Sequence, residues 1–374
     1  MRRELYVGVM SGTSLDGIDA VLVDFGPMED GLPCRILATS TTPFAPALRA
    51  ELLALQQPVP DELARAARAA NTLADAYAAV IVRVLAAANV VADDVEAAGV
   101  HGQTVRHRPD ESWTLQLNNA ARTAERCGVT VVADFRSRDL AAGGQGAPLV
   151  PAFHAALFGG GNVHRVILNM GGIANVTDLP LEGQVRGFDT GPGNVLLDLW
   201  HARHRRTAFD RDGTWARTGR VDPRLLRILR AEPYFARTPP KSTGRDLFNA
   251  AWLDARLLEA AADGVERSPA DVQATLVALT AGTIADAIRT YCTGATEVLA
   301  CGGGAYNKAL LDALAAELAP RHVTTTAAFG VAPEHVEAMA FAWLARESLA
   351  GRESSLPEVT GARAPRVLGA VYHR

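Results

Sequence analysis

Cysteine is scarce in this chain: Cys34, Cys127, Cys292 and Cys301 are the four among 374 residues, and they lie far apart. That spacing excludes a paired-cysteine zinc site and points to reduced thiols in a cytoplasmic protein. Basic clusters interleaved with aromatics are missing and the net charge is −4, so no nucleic-acid partner is expected. No apolar run reads as long enough to cross a bilayer, and the short one after the N-terminal arginines gives way to polar Met-Ser-Gly-Thr-Ser, unlike a secretory signal. A Gly-Lys-Ser/Thr phosphate loop is absent, as is a dinucleotide-binding glycine pattern opening a helix. What remains is an ordinary globular composition, 48% hydrophobic and 21% charged, with 33 glycines gathered at turns and loops. The length suits two domains, each with its own core, and a small-molecule substrate.

The stretch from Val166 to Asn194 organises the reading. Its first half, VILNMGGIANVTDL, predicts two strands around a tight turn at Gly171-Gly172, with Asn175 close behind, because glycine and asparagine tolerate positive φ. Backbone N–H groups in such a turn can receive phosphate. Its second half, RGFDTGPGNVLLD, sets Asp189 before Thr190–Asn194, a run expected to end the strand and expose what it carries. A second hairpin spans Leu5 to Phe25, with Gly12, Thr13, Ser14, Leu15, Asp16, Gly17, Ile18 and Asp19 at and after its turn. Amides and hydroxyls there can hold phosphate oxygens, while Asp16 or Asp19 can hold Mg²⁺. Taken singly, each hairpin is equally an ordinary decorated turn.

Between them, Pro60-Asp61 predicts the start of a long alanine-rich scaffold helix. His101 and His107 follow a strand, but no serine or cysteine nucleophile accompanies them, so a loop anchor or substrate contact fits better than proton transfer. Arg136, Arg138 and Asp139 follow the strand Val129–Phe135 at its carboxyl end, where ligand contacts gather in α/β sheets. Gly159-Gly160-Gly161 reads as a joint between domains. Asp210–Gly213 and Lys241–Asp246 are polar loops suited equally to a ligand or to capped turns. Gly302-Gly303-Gly304, with Asn307 beyond, join a strand to a helix and let a flat ligand approach the backbone.

Several longer motifs carry a family resemblance: GVMSGTSLDGID, HGQT, DFR, GGQGAPLVPAFH, NMGGIANVT, GFDTGPGN, KSTGR, CGGGAYN and EAMAFAWLA. Together they resemble the anhydro-N-acetylmuramic acid kinases, nearly end to end. The chain departs from that pattern at Asn118-Asn119-Ala120. The resemblance implies an α/β, two-lobed actin-like ATPase (ribonuclease H-like) fold with the active site in the interdomain cleft. Residues 1–160 would form the N-terminal lobe, with 346–374 packing back on it, and 161–345 the C-terminal lobe. It implies ATP and Mg²⁺, the latter at Asp16 and Asp19, in opening and phosphorylating 1,6-anhydro-N-acetylmuramic acid for peptidoglycan recycling. Asp189 would be the catalytic base, with residues Gly12 to Asp19 and Gly171, Gly172 and Asn175 at the phosphates. Gly302 to Gly304 and Asn307 would lie on the adenosine side, with His101, Arg136, Asp139, Gly191, Pro192 and Glu337 around the sugar. A homodimer is left open. Another small-molecule kinase of the superfamily, or an actin- or chaperone-like ATPase, are the alternatives.

Overall fold

Apolar runs bounded by turn residues fold as strands in the computed structural model, which describes residues 3–12, 15, 17–27 and 34–374. In chain order the strands are β1 (Leu5–Met10), β2 (Gly17–Asp24), β3 (Arg35–Pro43), β4 (Val95–Val100), β5 (Gln103–Arg108), β6 (Trp113–Leu117) and β7 (Val131–Ala133). They continue with β8 (Arg165–Met170), β9 (Ile173–Leu179), β10 (Arg186–Pro192), β11 (Glu297–Cys301), β12 (His322–Thr325) and β13 (Ala370–Tyr372). The chain divides into one unit of Met1–Leu157 with His335–Arg374 and another of Phe158–Glu334.

In the first unit the sheet runs β3-β2-β1-β4-β7-β13. β1 to β3 are antiparallel neighbours, and β4 and β7 continue parallel to β1. In the second unit the order is β10-β9-β8-β11-β12, again with three antiparallel strands followed by two parallel ones. Each unit is therefore α/β with the strand order third, second, first, fourth, fifth, the arrangement of the ribonuclease H-like, actin-type fold expected from the sequence.

The helix Glu62–Ala87 supplies much of the first core, burying Leu73, Tyr77, Ile81 and Val84 along one face. Two sequence expectations change here. The helix starts at Glu62, because Asp61 sits left-handed at φ 57° and Pro60 lies outside. The helix is also long and apolar enough to span a bilayer, contrary to the sequence reading, although half of its most apolar window is buried in the protein. At the Asn118-Asn119 departure, Asn119 takes a local role. Asn119 accepts the Arg122 N–H at 3.1 Å and caps the helix Ala120–Cys127, a role open to asparagine.

One boundary also differs. Helix Val336–Leu349, expected with the later lobe, belongs to the first unit. Gly8 and Gly99 explain its position: a Cβ on either would run into the carbonyl of Ala338 or Phe341, so only glycine lets that helix lie directly on β1 and β4.

Candidate active site

The turn between β8 and β9 is Gly171-Gly172, and neither glycine has positive φ, contrary to the reason given for them by sequence. Space inside the protein does not require them either. A Cβ on Gly171 would come no nearer than 3.5 Å to Ile173 O, and on Gly172 no nearer than 3.8 Å to Arg245. The turn is instead tied down by its carbonyls. Asn194 N donates to Gly171 O at 2.8 Å, while Gly193 N and Val195 N donate to Gly172 O at 2.9 and 3.1 Å. In a planar trans peptide the N–H opposes the C=O, so the Gly172 and Ile173 N–H groups point away from this anchorage. Such a turn offers donors and leaves room beside them, which is what an anionic oxygen requires.

Asp189 lies within β10, which continues through Pro192 instead of ending at Thr190 as expected. The pairing with β9 shifts between Asp189 and Gly191, leaving Thr190 as the extra residue of a bulge. Gly191 and Pro192, expected at the sugar, are buried at the strand end. Gly191 has φ 146°, and a Cβ there would lie 2.7 Å from the Phe235 ring. Asn175, expected in the turn, lies in β9 opposite Asp189.

The Asp189 carboxylate is held from outside the sheet. Asp189 N donates to Lys241 O at 3.1 Å, Thr243 N donates to Asp189 Oδ2 at 3.0 Å, and the Tyr234 hydroxyl donates to Asp189 O at 2.9 Å. Among the described residues no donor reaches Oδ1. Burial pushes the Asp189 carboxyl up from 3.8 to about 6, opposed by the Thr243 N–H and the Lys241 charge. A half-buried carboxylate in this range, with one oxygen fixed and the other open, can take a proton near neutral pH.

In the same unit a cavity of about 530 Å³ opens beside Asn194, Phe209, Arg211, Gly303, Tyr306 and Glu334. Phe209 and Tyr306 are exposed aromatic walls, and the Tyr306 hydroxyl donates to Glu334. Gly303 at its edge and the glycines on either side do different work. Gly302 has φ 78°, and a Cβ on Gly304 would lie 2.7 Å from Met170 Cβ, so both are required by the backbone. Gly303 has open space, with Asn194 Nδ2 the nearest atom at 4.0 Å. Asn307 lines the cavity and also caps the next helix, accepting Leu310 N at 3.1 Å.

In the first unit, Thr13, Ser14 and Asp16 of the expected phosphate loop lie outside the described residues. Gly12 O accepts from Leu15 N and from Gln103 Nε2, at 3.1 and 3.2 Å. Leu15 and Ile18, expected at the nucleotide, are core side chains, and Gly17 is glycine because a Cβ would meet Thr42 O at 2.5 Å. Any contact from Leu15 or Ile18 to a ligand is therefore limited to their backbone. Asp19 remains a cation candidate, with Oδ1 accepting the Thr41 hydroxyl at 2.7 Å.

Arg136 and His101 form a buried pair. Arg136 Nε and one terminal nitrogen approach His101 Nε2 at 3.1 and 2.9 Å, and its other terminal nitrogen donates to Gly146 O at 2.7 Å. A guanidinium only donates, so His101 Nε2 must accept and the imidazole is neutral with its proton on Nδ1. Burial, reinforced by the Arg136 charge, holds His101 well below its ordinary value. At neutral pH His101 is thereby a neutral acceptor for Arg136, with its Nε2 taken up by that pairing. Burial lowers Arg136 to about 10, opposed by Glu337 and Asp139, so it keeps its charge. Asp139 is fully buried, with Oδ2 accepting Gly146 N at 2.7 Å and Oδ1 accepting the Thr360 hydroxyl at 2.8 Å. The expectation that it contacts sugar fails for that reason; it anchors the loop before Gly146.

The family model for anhydro-N-acetylmuramic acid kinase matches residues 4–374. Curated proteins of that name are similar over nearly the whole chain. One from Thiobacillus denitrificans is 51% identical over 369 residues, covering 99% of this chain and 97% of its own. Another from Burkholderia thailandensis is 53% identical over 382 residues, covering 99% and 98%. The chain belongs to the anhydro-N-acetylmuramic acid kinase family.

Within this kinase, sequence reasoning pointed to Asp189 and the glycine turns but not to what holds and surrounds them. Phe209, Tyr306 and Glu334 are isolated in sequence and become one cavity only through the fold. Lys241–Arg245 was visible as a polar loop, yet nothing in its composition tied it to β10.

Proposed function

We propose that this kinase uses ATP and water to open 1,6-anhydro-N-acetylmuramic acid and yield N-acetylmuramic acid 6-phosphate and ADP, in the recycling of peptidoglycan sugars. The Asp189 carboxylate, with Oδ2 fixed by Thr243 N–H and Oδ1 open, carries the reading. Water attacks C1 and gives its proton to Asp189 Oδ1 as the C1–O6 bond breaks. O6 then bonds to the γ-phosphorus, and the bond from that phosphorus to ADP breaks. An ordinary inverting hydrolysis needs both a base and an acid, but here the leaving oxygen is captured by the phosphoryl group, so one carboxylate suffices.

The turn at Gly171-Gly172 receives phosphate through its N–H groups, and the cavity beside Gly303 receives the nucleoside between Phe209 and Tyr306. Mg²⁺ commonly takes one or two carboxylates with the substrate phosphates supplying other ligands. Asp19 fits that limited demand, since the described residues hold no cluster of three metal-binding side chains. When bound, Mg²⁺ would offset charge on the phosphates. The buried Arg136 charge and Glu337 serve the sugar side.

Turnover in H₂¹⁸O tests the reaction: the label enters at C1 of the product and none enters phosphate. Label in phosphate, or equal turnover of N-acetylglucosamine in place of the anhydro-sugar, would overturn it.

A further inference from the structure

We propose that Arg245 is a catalytic residue, a guanidinium that engages the γ-phosphoryl oxygens during transfer and is delivered by the same loop that holds Asp189. The inference rests on the reading of Gly171-Gly172 as a phosphate turn and deepens it.

The loop has two ends of different function. At Lys241 and Thr243 it binds Asp189 twice through backbone groups, at 3.1 and 3.0 Å. Two residues further on, an Arg245 terminal nitrogen lies 3.8 Å from where a Cβ on Gly172 would stand. The guanidinium thus sits over the space that the glycine leaves open. Arg245 is exposed, and its side chain makes no hydrogen bond or ion pair among the described residues. Other cations of this region are occupied. Lys241 Nζ donates to Phe235 O at 3.3 Å and lies 5.0 Å from the Tyr234 ring centre, while Arg230 is paired with Asp286. Arg237 lies 5.8 Å from the centre of the same Tyr234 ring.

Charge in a transferring phosphoryl group spreads over its three equatorial oxygens, and a planar guanidinium can meet two of them at once. Lysine could supply charge but not that fork. In this arrangement the loop links the two halves of the reaction. Its backbone fixes the oxygen that does not take the proton, and its arginine meets the phosphoryl group that captures O6.

The test compares Arg245→Met and Arg245→Lys in the full chain, using ATP and the anhydro-sugar. Because Arg245 is exposed and its side chain makes no hydrogen bond or ion pair among the described residues, melting temperatures should match the parent; Arg245→Gln replaces the methionine variant if it does not fold. The expected result is a kcat loss of ~10²–10³-fold for methionine, the range for removing one transition-state donor, with lysine restoring only part. Affinity for ADP with aluminium fluoride and sugar should fall by a similar factor, while affinity for ADP alone stays within about threefold. A kcat within about threefold of the parent, or equal losses for ADP and for the aluminium fluoride complex, would overturn the proposal. Gly171→Val separates it from its premise. If that variant binds ATP normally, the phosphate-turn reading fails; if it loses ATP while Arg245→Met turns over normally, only the arginine's role falls.

Discussion

Replacing Asp189 by asparagine should stabilise the protein and stop its chemistry at once. Burial raises the Asp189 carboxyl from 3.8 to about 6, so folding favours its protonated form. A folded-state value above the unfolded one means that stability is greatest below pH ~4, declines as pH rises towards ~6, and is level above that. The rise of about 2 units, at about 1.4 kcal/mol each, sets a ceiling near 3 kcal/mol on the cost of the ionised form. Asp189 is only half-buried, and solvent screening reduces that to roughly 1–2 kcal/mol. Asparagine keeps an oxygen for Thr243 N–H and carries no charge. Melting temperatures should therefore be higher for Asp189→Asn at pH 7.5 and equal to the parent near pH 4. Turnover, followed by ADP release with anhydro-sugar and ATP, should fall ~10²–10⁴-fold, the range of general-base assistance. The parent's kcat/KM should rise with pH through about 6, as Asp189 loses its proton. An asparagine variant that melts lower at pH 7.5 and turns over normally would refute this and leave Asp189 only the structural role of accepting the Thr243 N–H.

Gly303→Val should fold normally, since its nearest neighbour to a Cβ is 4.0 Å away, yet bind ATP at least ~10-fold more weakly; titration calorimetry on the folded variant checks this. Gly304→Val, with Met170 Cβ at 2.7 Å, should instead lower the melting temperature. Asp139→Ala strands the buried Gly146 N–H and should cost about 1–3 kcal/mol in denaturant unfolding, and an unchanged midpoint with a raised sugar KM would restore it as a sugar contact. His101→Gln, whose amide oxygen can receive the Arg136 donors, should leave the shape of the pH profile unchanged because His101 stays neutral; loss of a limb would show that it titrates.

Local pattern was sufficient for the two hairpins and the strands they join, though not for where β10 ends or where the helix Glu62–Ala87 begins. The apolar runs of β1 and β2, or the Ser268 side chain that accepts Asp271 N at 3.1 Å, rest on neighbours in the chain. The motifs were also specific enough to name the family and to single out Asp189. Tertiary structure decided the rest. Whether a glycine serves a ligand or merely packing depends on atoms distant in sequence: Gly302 and Gly304 are forced by their backbone and by Met170, whereas Gly303 is not. Asp139 and Arg136 look alike as polar residues after a strand, yet Thr360 and Gly146 take up one carboxylate while His101 and Glu337 surround the guanidinium. The basicity of Asp189 comes from burial and is held in check by a loop more than fifty residues away, at Thr243. A residue type and its immediate neighbours set what a side chain can do, but desolvation and through-space partners set which of those things it does, and both arise only when the chain closes on itself.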